Sequence, residues 1–247
     1  MEEKTKHPAF EQPYDKNIKV WRYMNLEKLK DLISTQELYL SRVDCLKDKH
    51  EGSKPKPLIE GLREFWKSQV FGDKVLDWWS QIAKQTTESA YVNCWRIDTH
   101  ESNLMWNNYV KGGEIGIVIQ TTYDKLLDSI NYDDSIYLGK IKYIDFEKEY
   151  WSPDNNAFFP IMHKRKEFES EQEVRIVKSD PTYWGLGSPD SPKGVRCKWD
   201  FNKTVENIYI NPSCTQEEFD EIKKYLASNN VNITPQWSSL KREPEFG

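Results

Sequence analysis

Apolar and polar positions alternate along residues 18–24 (IKVWRYM), as they do in a half-buried strand. The period then lengthens. Leu26, Leu29, Leu32 and Ile33 fall on one face of a short helix, and Asn25 stands where a cap would accept an early backbone N–H. Residues 37–41 (ELYLS) return to a strand. Residues 44–57 are charged and carry Gly52, Pro55 and Pro57, which predicts a loop. Leu58, Leu62, Phe65, Trp66 and Val70 then recur at helical spacing. Gly72 interrupts them, and Val75, Leu76, Trp78, Trp79 and Ile82 resume, which predicts two helices broken near the glycine.

Residues 88–95 (ESAYVNCW) read as a strand. Asp98 and Glu101 have the spacing of a helix start, with Leu104, Met105 and Tyr109 following and Gly112-Gly113 as the stop. Residues 114–120 (EIGIVIQ) are nearly all apolar, as a strand buried on both faces must be. A short helix is predicted at 122–129 and one alternating strand over 136–146. Residues 151–159 read as loop, and 180–193, with three prolines and two glycines, as a long loop able to act as a lid. Strands follow at 194–200 and 205–211, the second ended by Pro212. Thr215 and Glu218 form a capping-box pair ahead of an amphipathic helix with Phe219, Ile222, Tyr225 and Leu226 on one face. A last strand is predicted at 231–234.

Strands and helices are interspersed without a regular βαβ repeat. The pattern predicts a polar, loose N-terminal arm over residues 1–17. A single α+β domain follows over 18–247, with a central mixed, mostly antiparallel sheet and flanking helices.

Composition narrows the function classes. Of 247 residues, 37% are hydrophobic and 30% charged, and ten tryptophans supply the rings that build a core where aliphatics are few. The net charge of -5 gives no overall basic field for sequence-independent nucleic-acid binding. Four widely spaced cysteines without a C-x-x-C pair predict reduced thiols and no structural zinc. No apolar leader and no membrane-length apolar run occurs, so a cytoplasmic protein without membrane contact is expected. No G-x-G-x-x-G, Walker sequence, H-E-x-x-H or G-x-S-x-G is present.

The candidate chemistry centres on residues 164–177 (KRKEFESEQEVRIV). Val174 and Ile176 mark a strand, and Glu171 and Glu173 just before it share the strand period of two, which would put both carboxylates on one side of its entrance. Trp21 and Tyr23 face one way from the first strand and Arg22 the other, where its planar fork suits a phosphate or carboxylate. Ser102, Met105, Trp106 and Tyr109 share a helical face that reads either as core or as the wall of a pocket for a flat ring. Asp44, Asp48, His50 and Glu51 form a loop cluster with the oxygen donors of a hard-cation site, though without EF-hand spacing.

The ordered motifs VWRYMNLEKL at 20–29, LYLSR at 38–42, DKHEG at 48–52, NCW at 93–95, ES-x-x-MW-x-x-Y at 101–109, GIVI at 116–119 and KR-x-x-F-x-x-E-x-EVR at 164–175 resemble a bacterial family of uncharacterised domains found in mobile-element and phage-defence neighbourhoods. A more distant resemblance is to ADP-ribosyltransferase-like proteins, through the order of Arg22, Ser102 and the E-x-E of Glu171 and Glu173. The serine–threonine–serine strand motif of those enzymes is missing, and Ser102 opens a helix instead. The resemblance implies an NAD-consuming transferase or glycohydrolase, a defence or toxin effector. Glu173 would hold the ribose 2-hydroxyl, Glu171 would orient the acceptor, Arg22 would bind the pyrophosphate, and Tyr23, Trp106 or Tyr109 would stack on a ring. NAD would be the substrate, with a protein or nucleic-acid acceptor and no metal. The alternatives are a non-catalytic sensor module binding a nucleotide, RNA or protein, and a metal-dependent nuclease or phosphodiesterase using Lys164, Glu171 and Glu173 with Asp44 and Asp48.

Overall fold

A computed structural model of the chain describes residues 6–67, 69, 72–151, 156–179 and 191–241. In chain order the first elements are β1 (Lys19–Asn25), α1 (Leu26–Thr35), β2 (Glu37–Arg42), α2 (Lys56–Lys67), α3 (Gly72–Glu88) and β3 (Ala90–Ile97). Next come α4 (Asn103–Tyr109), β4 (Gly116–Thr122), α5 (Tyr123–Ser129), β5 (Ile136–Lys140), β6 (Lys142–Ile144), α6 (Phe159–Met162) and β7 (His163–Arg165). The last are β8 (Glu173–Ser179), β9 (Gly194–Lys198), α7 (Phe201–Thr204), β10 (Asn207–Ile210), α8 (Gln216–Ser228) and β11 (Gln236–Trp237). The fold is α+β with mixed, mostly antiparallel strand pairing. Its residues group into two compact units, each assembled from separated stretches of chain. Among the described residues no helix is long and apolar enough to cross a membrane.

One unit comprises residues 13–38, 94–132 and 197–247. Its spine is β1 against β4, antiparallel in register from Lys19 opposite Thr122 to Asn25 opposite Gly116. Every residue of β4 is buried, which explains its unbroken apolar run. β10 pairs antiparallel with the other edge of β4, and β11 pairs parallel with β10. The helices form where their caps are. The Asn25 side chain accepts from the Lys28 N–H, and α1 buries Leu29, Leu32 and Ile33. Thr215 and Glu218 close a reciprocal capping box on α8. Two expectations are corrected in this unit. The cap of α4 is Ser102, not Asp98, because the Asp98 carboxylate is engaged by Arg96. The last strand lies at Gln236–Trp237, not at 231–234, because Val231 ends α8 instead, its N–H donating to Leu226 O at 3.0 Å.

The other unit comprises residues 1–12, 39–93 and 133–196. β5 and β8 pair antiparallel from Ile136 opposite Lys178 to Lys140 opposite Val174. The expected single strand at 136–146 is two strands. β8 begins at Glu173, so its last bond to this segment is the Ile141 N–H to Glu173 O, and the chain then turns as β6 to pair parallel with β7. The helical region is two helices, α2 ending at Lys67 and α3 beginning at Gly72, in line with the Gly72 signal. Most of the 180–193 lid expectation lies outside the described residues.

Residues 7–12, expected in a loose arm, are packed. Phe10 is 1% exposed, stacks on Tyr137 at 4.8 Å, and is followed by a bridge from Glu11 to Lys140. Gly139 makes this possible, since a Cβ there would stand 2.7 Å from Phe10 Cα. Gly139→Ala is therefore expected to destabilise the fold by about 1–3 kcal/mol, because backbone rather than a flexible side chain must yield. A thermal midpoint equal to that of the wild type would show that residues 7–12 are not held against β5.

Candidate functional site

β8 carries polar and apolar residues alternately, yet Glu173, Val174, Arg175, Ile176 and Val177 are all buried. A strand buried on both faces cannot send its charges to water, so Glu173 and Arg175, two residues apart and on one side, must satisfy each other. Arg175 Nε donates to Glu173 Oε1 at 2.7 Å. The rest of the guanidinium forks onto Glu51, with Nη1 to Oε2 at 3.0 Å and Nη2 to Oε1 at 3.2 Å, and Nη1 also donates to Ile161 O at 2.7 Å. Arg175 is 0% exposed.

Lys164, on β7, closes the figure from the other side. Its Nζ lies 3.2 Å from Glu51 Oε1 and 3.4 Å from Glu173 Oε2. Two cations and two carboxylates thus alternate around a ring, each cation touching both acids. Glu171 hangs from this ring, its Oε2 held by Lys164 Nζ at 2.7 Å. Among the described residues Glu171 Oε1 takes no hydrogen bond, and the Glu171 side chain, 19% exposed, is the most open of the five.

The local chain explains this placement and corrects one expectation. Glu171 and Glu173 do not share a strand period. Glu171 ends a 3-10 turn over Lys166–Glu171, and Gln172 takes a left-handed φ of 42° before β8 begins. The two carboxylates meet through Lys164 instead. Phe168 in that turn lies against Lys164 Nζ, 4.9 Å from the ring centre. On β6, Tyr143 stands opposite Lys164, and its hydroxyl accepts the Glu173 N–H at 2.9 Å.

Burial opposes the Lys164 ammonium, but Glu173 and Glu51 outweigh it and hold its pKa above the ordinary lysine range. Lys164 is therefore a fixed cation at neutral pH, not a general base. Its raised pKa contributes stability below the unfolded lysine pKa, and that contribution is lost only as pH rises through the higher folded value. Burial, with Glu173 adding to it, pushes the Tyr143 phenol up. Three carboxylates against two cations leave the cluster one net negative charge.

The loop cluster does not assemble as a cation site. Arg42 grips Asp44 at 2.7 Å, Arg165 takes Asp48 at 3.0 Å, and Glu51 belongs to the ring. Among the described residues no group of three or more His, Cys, Asp or Glu is placed to hold a metal.

The remaining site residues predicted from sequence lie in the other unit. Tyr23, Ser102 and Trp106 come together. The Ser102 N–H donates to the Tyr23 hydroxyl at 2.8 Å, and Tyr23 meets Trp106 edge-on at 5.0 Å. Tyr23 and Trp106 are buried with Met105 and Val118, so their rings face protein. Burial raises the Tyr23 phenol to about 12. Ser102 Oγ accepts from the Met105 N–H as the helix cap, Tyr109 is 42% exposed, and Arg22 Nη1 donates to Cys94 O at 2.7 Å.

Sequence reading missed Arg175 and Tyr143 and gave Glu51 a different role. The available signal was the E-x-R of Glu173 and Arg175, opposite charges at strand period inside an apolar run. No protein-family model matches the chain, and no curated protein matches it either.

Removing one member of a buried ion set strands the others. Arg175→Met is expected to destabilise the fold by about 3–5 kcal/mol, and adding Glu51→Gln should restore part of that loss. Denaturant unfolding of the single and double variants measures the coupling; strict additivity would mean Glu51 and Arg175 do not interact.

Proposed function

We propose that this protein consumes NAD, cleaving the bond between nicotinamide and ribose as an ADP-ribosyltransferase- or NAD-glycohydrolase-type enzyme. The observation that carries the reading is the open carboxylate oxygen of Glu171, held by a fixed lysine on a cluster with one net negative charge. In this cleavage the C–N electron pair leaves with the nicotinamide, and positive charge develops on the ribose carbon. A pre-oriented carboxylate that hydrogen-bonds the ribose 2-hydroxyl stabilises that charge more than it stabilises the ground state.

The exposure pattern favours an exchange of roles between the two glutamates. Glu171 Oε1 is the oxygen available to a substrate hydroxyl. Glu173, with Arg175 on one oxygen and Lys164 near the other, is suited to positioning Lys164 and through it Glu171. When water is the acceptor, its oxygen bonds the ribose carbon and its proton leaves to a carboxylate or to solvent, giving ADP-ribose. When a nucleophilic group of a protein or nucleic acid takes the place of water, the same step is a transfer. The sequence resemblance extends the reading to a bacterial defence or toxin effector. The phosphodiesterase reading draws less support, because lysine and arginine nitrogens already engage the carboxylates that would bind a metal.

Purified full-length protein incubated with NAD should release nicotinamide, measured by chromatography. Glu171→Gln should lower the rate about 100-fold with little change in thermal midpoint. Glu173→Gln should lower both the rate and the midpoint. No nicotinamide from the wild type, or full turnover by Glu171→Gln, would falsify the proposal.

A further inference from the structure

The unit built on β1 and β4 has a cavity of about 570 Å³ over one face of its strands, a size that accommodates a small ligand. Strand register puts its floor together. Trp21 on β1 and Gln120 on β4 lie directly opposite one another and both line it, and Asn207 on β10, opposite Gln120, supports the floor from beside it. Tyr209, two residues along β10 from Asn207, reaches diagonally to Trp21, with ring centres 5.6 Å apart. Trp21 Nε1 donates to Asp98 O, which fixes the indole as a wall. Trp237 forms part of the rim, stacked on Phe219 at 4.5 Å.

Gln120 is the informative residue. It is 5% exposed and lines the cavity. Its carboxamide oxygen accepts from Asn207 Nδ2 at 2.7 Å, and Asn207 Oδ1 in turn faces Gln236 Nε2 at 3.4 Å. With the oxygen committed, the amide nitrogen is left as a pure donor, and it makes no hydrogen bond among the described residues. That nitrogen is not sealed from solvent and can be reached from the cavity, so it is placed to donate to a ligand that supplies an acceptor.

Charge at the rim adds a second requirement. Lys241 Nζ sits over the Trp237 ring, 3.1 Å from its centre, and donates to Cys214 O at 2.9 Å. Glu101, which also lines the cavity, directs its oxygens inward to Ser238 Oγ at 2.6 Å and the Ser239 N–H at 2.7 Å. Glu101 keeps its negative charge but its oxygens are held by protein donors and turned away from the opening, and among the described lining residues Lys241 is the lysine at the rim.

We propose that this cavity binds a nucleoside monophosphate whose base presents a carbonyl acceptor, as guanine and uracil do. The base lies against Trp21 and Tyr209 with its carbonyl on the Gln120 amide, and the phosphate approaches Lys241. None of the residues invoked belongs to the carboxylate ring, and the site does not depend on NAD cleavage.

Titration of the protein with guanosine, uridine and adenosine monophosphates and with the free nucleosides guanosine and uridine, followed by tryptophan fluorescence and by calorimetry, tests this. GMP or UMP should bind, and AMP about tenfold more weakly, since adenine places an amino donor where guanine presents its carbonyl to the Gln120 donor. Gln120→Met should weaken GMP and UMP binding about tenfold, and Lys241→Met should abolish the preference for nucleotide over nucleoside. Thermal midpoints of both variants show that the fold is intact. No saturable binding at millimolar concentration, or binding indifferent to Gln120→Met, overturns the proposal. Because neither GMP nor UMP contains nicotinamide, a failure here leaves the NAD reading standing, and the converse also holds.

Discussion

The ring of Glu51, Arg175, Glu173 and Lys164 is the constraint on which its unit depends. Ions taken out of water lose several kcal/mol each in solvation, and only close, alternating, well-hydrogen-bonded partners return it. Arg175 meets that condition with four hydrogen bonds to protein oxygens. Once it does, much of the surroundings follows. β8 must start at Glu173, β7 must bring Lys164 alongside, and the loop after β2 must deliver Glu51. Apolar residues in these places would hold the strands together at least as well. The retained charges fix where Glu171 points.

The two units use polar burial differently. In the ring each charge has an opposite partner, and among the described residues the unengaged carboxylate oxygen of Glu171 lies at its margin. In the cavity over β4 the open valence is a neutral amide at the bottom of an aromatic hollow. The first arrangement suits a reaction in which charge develops, because a preset field acts without reorganising. The second suits recognition, because a fixed donor beside aromatic walls favours a ligand with an acceptor at that point.

Much of the fold was legible because local signals carried it. Asn25, Thr122 and Thr215 cap the helices they precede, and the apolar run of β4 is its burial on both faces. What escaped was set by the specific partner each group takes, near or far in sequence, which composition does not show. Asp98 has the composition of a cap, but Arg96 takes it. Val231 has the composition of a strand, but closing α8 uses its N–H. Glu171 and Glu173 were legible as a pair and not as a geometry, because the left-handed Gln172 breaks the period on which the reading relied. Arg175 drew no role because its main partner, Glu51, lies 124 positions earlier.

That separation bears on how the protein is made. During synthesis Glu51 is added to the chain roughly 6–25 s before Arg175, at ordinary elongation rates. Through that interval the loop around Glu51 has no guanidinium to accept and stays solvated. The two helices that follow it, by contrast, hold their own backbone bonds locally and can begin to form at once, although Lys56 at the start of α2 later meets Phe146 O and Glu147. The ring therefore closes after β7 and β8 have emerged, as a late step that expels water from five charged side chains together. A nascent chain halted before residue 175 has three of its acids but only one of its two cations, and would hold this region open. The orientation of Glu171 is thus a property of the finished chain alone.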